Sequence, residues 1–383
     1  MRHDEQVRLI DACLAHIAGG VTDMDRATTP SPVERYIAEA RLAREIDVLF
    51  RRWPILAGFS SDIPKPGDFF TLDIVGQPVL VVRQRDGGAR AFLNVCRHRG
   101  TRVVAEEGGA GKRGFTCPYH AWTYGLDGAL LALPDAFGFP EIDKARTGLV
   151  ALPLAEGHGM IFVRPTPGPA FDLDAFLGSA LADDFAHFGF ARHVAWSWRR
   201  FPRAMNWKLF FDASLETYHL RHAHARTIAA MFCDNKGVFE WLGRHGRALL
   251  PKRSIATLGE VPRERWNIRE HGNVLYALLP NTILLVEPDH AQMMQVFPDG
   301  AGRTLVRSCM LVPERPASEK AREHWARNET IFYDALEEDF AMMESIQRGL
   351  ASGANAHLTF GRYEKLPAAF HRAIEAALDR PAA

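Results

Sequence analysis

The chain has 383 residues, 47% of them hydrophobic, which is too long for one ordinary core and too apolar for global disorder. Lys+Arg and Asp+Glu both number 46, a formal net charge of 0 that argues against nucleic acid or an anionic membrane as a general partner. Five cysteines, an odd number in a chain of this size, argue against a disulfide framework and fit a reducing cytoplasm in which some thiols serve as ligands.

The N-terminus carries acids early and lacks a long apolar run, so no signal peptide is expected; no stretch reaches the roughly 18 apolar residues of a membrane-spanning helix. Val7, Ile10, Leu14 and Ile17 recur at helical spacing and predict a helix over 4–18, ended by Gly19-Gly20. Ser31-Pro32 read as the N-cap and first-turn proline of a second helix that is expected to reach about Phe50. From Trp53 the texture changes to short β-rich runs, 69–75, 79–85, 91–95, 115–117, 121–124 and 160–164, separated by Gly-rich turns. Pro165, Pro167, Gly168 and Pro169 form a breaker-rich linker, where a domain boundary is expected. Beyond it the reading is a helix over 172–189, a strand over 194–201, further strands over 274–279, 282–286, 291–297 and 304–312, and a long helix over 318–350.

Two constellations carry chemistry. The first is Cys96-Arg97-His98 with Cys117-Pro118-Tyr119-His120, two loops that each offer one thiolate and one imidazole. A zinc ion could take two sulfurs and two nitrogens, but the C-x-H spacing is not the usual zinc pattern. A Rieske [2Fe–2S] cluster, with two cysteines on one iron and two histidines on the other, needs this split.

The second is the stretch 206–224, NWKLFFDASLETYHLRHAH, in which Glu216, His219, His222 and His224 share nine positions beside an apolar run. Buried histidines and acids at that density require partners or a metal. Two histidines and a carboxylate on one face of an iron leave positions open for dioxygen. On a regular helix His219 would lie nearer His222 than His224, so pairing His219 with His224 requires the helix to bend or end after His219; His222 stays open as a ligand or a surface residue. A carboxylate is available on the long helix. Phe332, Leu336, Asp339, Met343, Ile346 and Leu350 form one stripe, and an unpaired Asp339 in it would be costly to bury. Its neighbours Glu337 and Glu338 read as solvated. Cys13, Cys233 and Cys309 read as small core residues, and Met293, Met294 and Phe232 as core packing rather than cavity wall.

The segments 96–100 and 117–122, with Tyr124–Gly128 continuing the second, resemble the two signature boxes of Rieske proteins. A Rieske domain followed by a larger domain resembles the terminal oxygenase (alpha) subunit of the Rieske non-haem iron oxygenases, the aromatic-ring-hydroxylating dioxygenase family, over nearly the whole chain from Trp53. Asn206, Trp207, Lys208, Glu216, His219 and His224 match that family's N-W-K…[DE]-x-x-H-x₄-H motif; Ala213 and Ala225 depart from its common Asn and Pro. The resemblance implies an α+β fold: an N-terminal helical segment (1–50) packing on the catalytic domain, an antiparallel Rieske domain (51–167), and a catalytic domain (168–383) whose curved antiparallel sheet grips the long C-terminal helix. It makes Cys96, His98, Cys117 and His120 ligands of one [2Fe–2S] cluster, and His219, His224 and Asp339 ligands of one mononuclear Fe(II). Glu216 becomes the bridge to a Rieske histidine of the next chain in a homotrimer.

The resemblance further implies a separate NAD(P)H-dependent reductase, with or without a ferredoxin, dioxygen as co-substrate, and hydroxylation or oxidative demethylation of a small aromatic or alicyclic molecule. Monooxygenation of a quaternary amine such as betaine, carnitine or choline is the alternative, although no acidic–aromatic cage is assignable. A non-enzymatic Rieske electron carrier or sensor, or a zinc-stapled module, are the readings from other classes.

Overall fold

The computed structural model describes residues 1–379. They form two compact units, one of Ile46–Phe176 with Gly189–Arg192, the other of Met1–Glu45, Leu177–Phe188 and the chain from His193 on. No helix among the described residues is long and apolar enough to cross a membrane.

The first unit is built from antiparallel sheets. A five-stranded sheet runs in the order Ala151–Leu152, Ala89–Leu93, Gln77–Arg83, Phe69–Ile74, Gly108–Gly109. A smaller sheet joins Gly114–Thr116, Thr123–Gly125 and Leu130–Ala132, and a third joins Leu154–Gly157, Met160–Val163 and Ile55–Phe59. Alternation of apolar side chains gives these strands a shared core in which Phe69, Phe92, Phe115, Trp122 and Tyr124 enclose Cys96 and Cys117.

The other unit is a seven-stranded antiparallel sheet, Val194–Arg203, Thr304–Val312, Ala291–Pro298, Thr282–Val286, Gly272–Leu278, His245–Pro251, Val238–Leu242. The long helix Glu319–Leu350 lies against it, capped by Ser318, whose hydroxyl accepts from the Ala321 amide at 3.2 Å. Two strands, 238–242 and 245–251, and the closing helix Lys365–Asp379 are absent from the sequence reading. The first two carry Glu240 and Arg247 inside the sheet, which blurs the alternation. On the long helix Ile346 is exposed, while Phe340 is buried in the stripe's place.

The expected helix to Phe50 is instead broken. Thr29–Pro32 is a strand paired with His357–Phe360, and helices span Glu34–Ile37 and Glu39–Glu45 with extended backbone at Ala38, followed by a π-helical turn, Ile46–Phe50. The cause of the break is chemical. The Tyr36 carbonyl leaves the helical ladder and accepts from Asn206 Nδ2 at 2.8 Å. The helix expected over 172–189 is likewise two pieces, Leu173–Leu177 and Ser179–Phe188, hinged at Gly178, whose φ of +80° suits a residue without Cβ.

Asn206 is a hub. Its side chain caps helix Trp207–Ser214 by accepting from the Lys208 amide at 3.0 Å and also donates to the Ala301 carbonyl at 2.7 Å, while its own amide donates to Gln347 Oε1 at 2.8 Å. The next two residues finish the anchor: Trp207 Nε1 and Lys208 Nζ both donate to Glu45 Oε2, at 2.9 and 2.7 Å. The Lys208 and Glu45 side chains are fully buried. Burial pushes the Lys208 pKa down, and the Glu45 carboxylate opposes that shift. Removing one partner strands the other charge, so Glu45→Ala is expected to destabilise the protein by about 3–5 kcal/mol. The double replacement Glu45→Leu/Lys208→Met should recover most of that loss, as read by urea denaturation of the parent and the two variants.

Candidate metal centres and active site

The two cysteine loops of the first unit share one construction. In the first, the Cys96 amide donates to the Thr101 carbonyl (2.8 Å) and the Gly100 amide to the Cys96 carbonyl (3.0 Å); in the second, the Cys117 amide donates to the Trp122 carbonyl (2.8 Å) and the Ala121 amide to the Cys117 carbonyl (3.0 Å). Each loop therefore needs a left-handed residue four positions after its cysteine: Gly100 at φ +78° and Ala121 at φ +58°. Asn94 staples the first loop, with Oδ1 accepting from the amides of Val103 and Val104 and Nδ2 donating to the Val104 carbonyl. The second loop is the tip of the hairpin Gly114–Thr116/Thr123–Gly125.

Both thiols are buried, while His98 is half-buried and His120 exposed, their rings 4.6 Å apart at 71°. His98 also stacks on Trp122, 5.0 Å away and nearly parallel. Burial pushes the Cys117 thiol pKa up against the lowering pull of the Tyr119 backbone, and the neighbouring Cys96 adds to the rise. Paired sulfurs inside and paired imidazoles outside fit a [2Fe–2S] group with one iron on each pair. Tyr124 adds a hydrogen bond to this sulfur layer. Its hydroxyl accepts from the Arg97 amide at 3.0 Å, which leaves its proton for Cys96 Sγ at 3.4 Å. Hydrogen bonds to cluster sulfurs stabilise the reduced form. Tyr124→Phe is therefore expected to lower the cluster's reduction potential with little change in its absorption spectrum, as followed by a redox titration of its paramagnetic signal.

In the second unit, helix Trp207–Ser214 ends well before the histidines, and Leu215–Tyr218 turn the chain. His219 then opens a single helical turn, Leu220–Ala223, and His224 closes it. The bend expected after His219 is absent: the turn between the two histidines is helical, the Ala223 amide donating to the His219 carbonyl at 2.9 Å and the His224 amide to the Leu220 carbonyl at 3.1 Å, and His219 and His224 nonetheless face one point, with ring centroids 5.2 Å apart. His222 points outward, exposed, and accepts from Arg221 Nε at 2.9 Å.

Asp339 meets them from the long helix, its Oδ1 3.0 Å from His224 Nε2 and 3.6 Å from His219 Nε2. The three donor atoms all lie within 4.8 Å of one another. Each imidazole is held from behind through Nδ1, His219 by Glu216 Oε1 and His224 by Glu338 Oε2 at 2.9 Å. This fixes the tautomer that leaves Nε2 free toward the third ligand. Glu216 is itself pinned, its Oε2 accepting from the amides of Tyr218 and His219. Burial alone would lower both histidine pKa values, but Glu216 and Asp339 around His219, and Asp339 and Glu338 around His224, raise them. Three carboxylates around two imidazoles fit a divalent cation at the shared point.

Glu338 is the residue that sequence reasoning missed. Placed among the solvated acids, it instead holds His224 and accepts from Thr227 Oγ1 at 2.6 Å, and Glu337 pairs with Arg203. A run of Glu-Glu-Asp gives no local sign of which acid turns inward; only a search for the acceptor of each ligand's second nitrogen would have found it. Phe232 and Met294, expected as core packing, line a cavity of about 210 Å³ that opens onto the triad. Met293 is buried away from it, and Cys13 and Cys309 are buried while Cys233 is partly so.

Loss of such an outer partner weakens metal affinity by about 10–100-fold. Glu338→Ala is expected to retain the cluster absorption, yet to release the mononuclear metal at a correspondingly lower chelator concentration, measured by metal analysis after dialysis.

Comparison with known proteins matches residues 53–142 to the Rieske [2Fe-2S] domain and residues 190–380 to the ring hydroxylating alpha subunit (catalytic domain). The carnitine monooxygenase oxygenase subunit of Escherichia coli (strain K12) is 29% identical over 330 residues, 84% of each chain. The biphenyl 2,3-dioxygenase subunit alpha of Rhodococcus jostii (strain RHA1) is 40% identical over 146 residues, 38% of this chain and 31% of that one. In fold, a quaternary ammonium Rieske monooxygenase solved with L-carnitine superposes with a TM-score of 0.77 at 22% identity, covering 91% of this chain and 94% of that one.

Proposed function

We propose that this chain, which belongs to the Rieske-type ring-hydroxylating oxygenase alpha subunits, is the terminal oxygenase that hydroxylates or oxidatively demethylates a small, largely apolar substrate. It is an oxidoreductase of the mono- or dioxygenase kind, drawing electrons from an NAD(P)H-dependent reductase. The observation that carries the reading is the convergence of His219, His224 and Asp339 on one point at the foot of the cavity.

When bound, the cluster supplies one-electron storage and the mononuclear iron supplies dioxygen activation. Cys96, Cys117, His98 and His120 would hold the former, and His219, His224 and Asp339 the latter. The rest of the work falls to protein groups. Glu216 and Glu338 keep the two imidazoles in one tautomer and one orientation. Leu220, Ile228, Leu275, Leu285, Phe332 and Leu336 supply an apolar wall that excludes water and holds a hydrocarbon surface against the triad. That wall favours an aromatic or alicyclic substrate. A quaternary amine is the second reading, favoured by the carnitine monooxygenase relative, whose likeness spans 84% of either chain.

In the proposed assembly the chains form a head-to-tail ring of three, closed by rotation as a heterologous contact allows. Glu216 of one chain then faces His120 of the next and couples the two metal centres, and a ferredoxin can stand between reductase and ring.

Three irons per chain are expected in the purified protein, against two for a pure electron carrier. Glu216→Gln should keep all three while reductase-driven oxygen consumption falls by about 10–100-fold. A variant that forms product at the wild-type rate in a single turnover from the pre-reduced state would remove Glu216 from the coupling, and two irons in the parent protein would remove the oxygenase reading.

A further inference from the structure

The cavity that ends on the triad has a second end of different chemistry. Asn328 and Asp339 both line it and stand eleven positions apart on one helix, about 16 Å along the axis at the rise of an α-helix. Ile331, Phe332, Ala335 and Leu336 line the stretch between them. Asn328 Nδ2 lies 3.3 Å from His324 Nε2, which itself lies 3.0 Å from Asp289, and on that side the wall is made by strand ends. Val274 pairs with Val286, so the next residues along, Asn273 and Glu287, are neighbours across the sheet, and both line the cavity.

This end carries an unsatisfied acceptor. Asn273 is 7% exposed, and its Oδ1 has no hydrogen-bond partner among the described residues. A buried polar group without a partner costs about 1–3 kcal/mol, and one on a cavity wall marks a place where a ligand completes the bond.

We propose that Glu287, Asn273 and Asn328 form a head-group subsite at the end of the cavity remote from the triad, one that takes a hydrogen-bond-donating head, hydroxyl or amine, on an elongated apolar substrate and rejects a carboxylate. The inference rests on the oxygenase reading and narrows its substrate class. Glu287 faces a mixed field. His290 Nε2 lies 3.5 Å from its Oε2, Lys252 adds positive charge, Asp289 adds negative charge, and Arg269 Nε is spent on its main-chain carbonyl at 2.8 Å. Asp289 meanwhile engages both His290 and the exposed His324, at 2.8 and 3.0 Å. Burial pushes the Glu287 pKa up; a donor head relieves that cost, whereas an anionic head adds to it.

The test uses the holoenzyme and three compounds with one body, 4-butylbenzyl alcohol, 4-butylbenzylamine and 4-butylbenzoate, with dissociation constants read by calorimetry. The alcohol and the amine are expected to bind at least about tenfold more tightly than the benzoate, since a donor left without its acceptor, or a like charge, is worth that much. Glu287→Gln should narrow the gap by improving benzoate binding, and Asn328→Leu should weaken the alcohol and the amine without helping the benzoate. Equal binding of all three, tighter benzoate, no binding of any, or an unchanged ratio in Glu287→Gln overturns the subsite. Iron content separates the two levels. Three irons with equal binding removes the subsite alone, whereas two irons removes the oxygenase reading whatever the binding constants.

Discussion

Two imidazoles from one short turn must meet a carboxylate from a helix that arrives much later in the chain, and such a constellation must be held to within about 0.5 Å. The second unit is organised to meet this constraint. The turn that bears His219 and His224 follows helix Trp207–Ser214, and that helix is held at its start by Asn206 and at its first turn by the Glu45 carboxylate. On its flanks Phe210 stacks on Phe340 of the long helix, and Phe211 stacks on Phe370 of the closing helix at 4.5 Å. Gln347, two turns beyond Asp339, returns to the Asn206 amide. The histidines and the aspartate are thus referenced to one small framework of hydrogen bonds and ring stacks, and loop geometry alone does not set their separation.

The first unit solves a related problem by repetition. One loop construction is used twice, with the same pair of backbone hydrogen bonds and the same left-handed residue four places after the cysteine. What differs is the histidine, two places after Cys96 and three after Cys117. At the second loop an alanine occupies the left-handed position, where a Cβ costs roughly 1–2 kcal/mol; the flanking Trp122, buried against the core, and the hairpin below it hold the strained conformation in place.

Legibility in the sequence followed the locality of the signal. The cysteine–histidine boxes are short, and their residue types say which atoms they offer, so spacing brought the two loops together as one metal site and the family resemblance supplied the cluster. The stripe on the long helix pointed to Asp339 because burial of an acid is a physical anomaly. It failed at Ile346, where the helix turns an apolar residue to solvent. Other features depend on partners far away in sequence. The break at Ala38 exists because Asn206 takes the Tyr36 carbonyl, and nothing near residue 36 says so. The strands Val238–Leu242 and His245–Pro251 hide because Arg247 is neutralised by Glu5, Glu240 and Asp184 from three separate segments, which lets a charged residue sit inside the sheet. Glu338 was masked by two acidic neighbours, and the role of the N-W-K triplet became physical only once Glu45 and Gln347 were seen to receive it.

A cavity laid along three turns of a single helix works as a measure. An occupant tethered at one end, as proposed, and oxidised at the other would be attacked at a place counted from its tether, so adding or removing one methylene would move the reacting carbon by one bond instead of abolishing the fit. Regioselectivity in such a chamber would belong to helix length, and a shift of one turn in where Ile331, Phe332, Ala335 and Leu336 stand along the wall would recalibrate it without touching His219, His224 or Asp339.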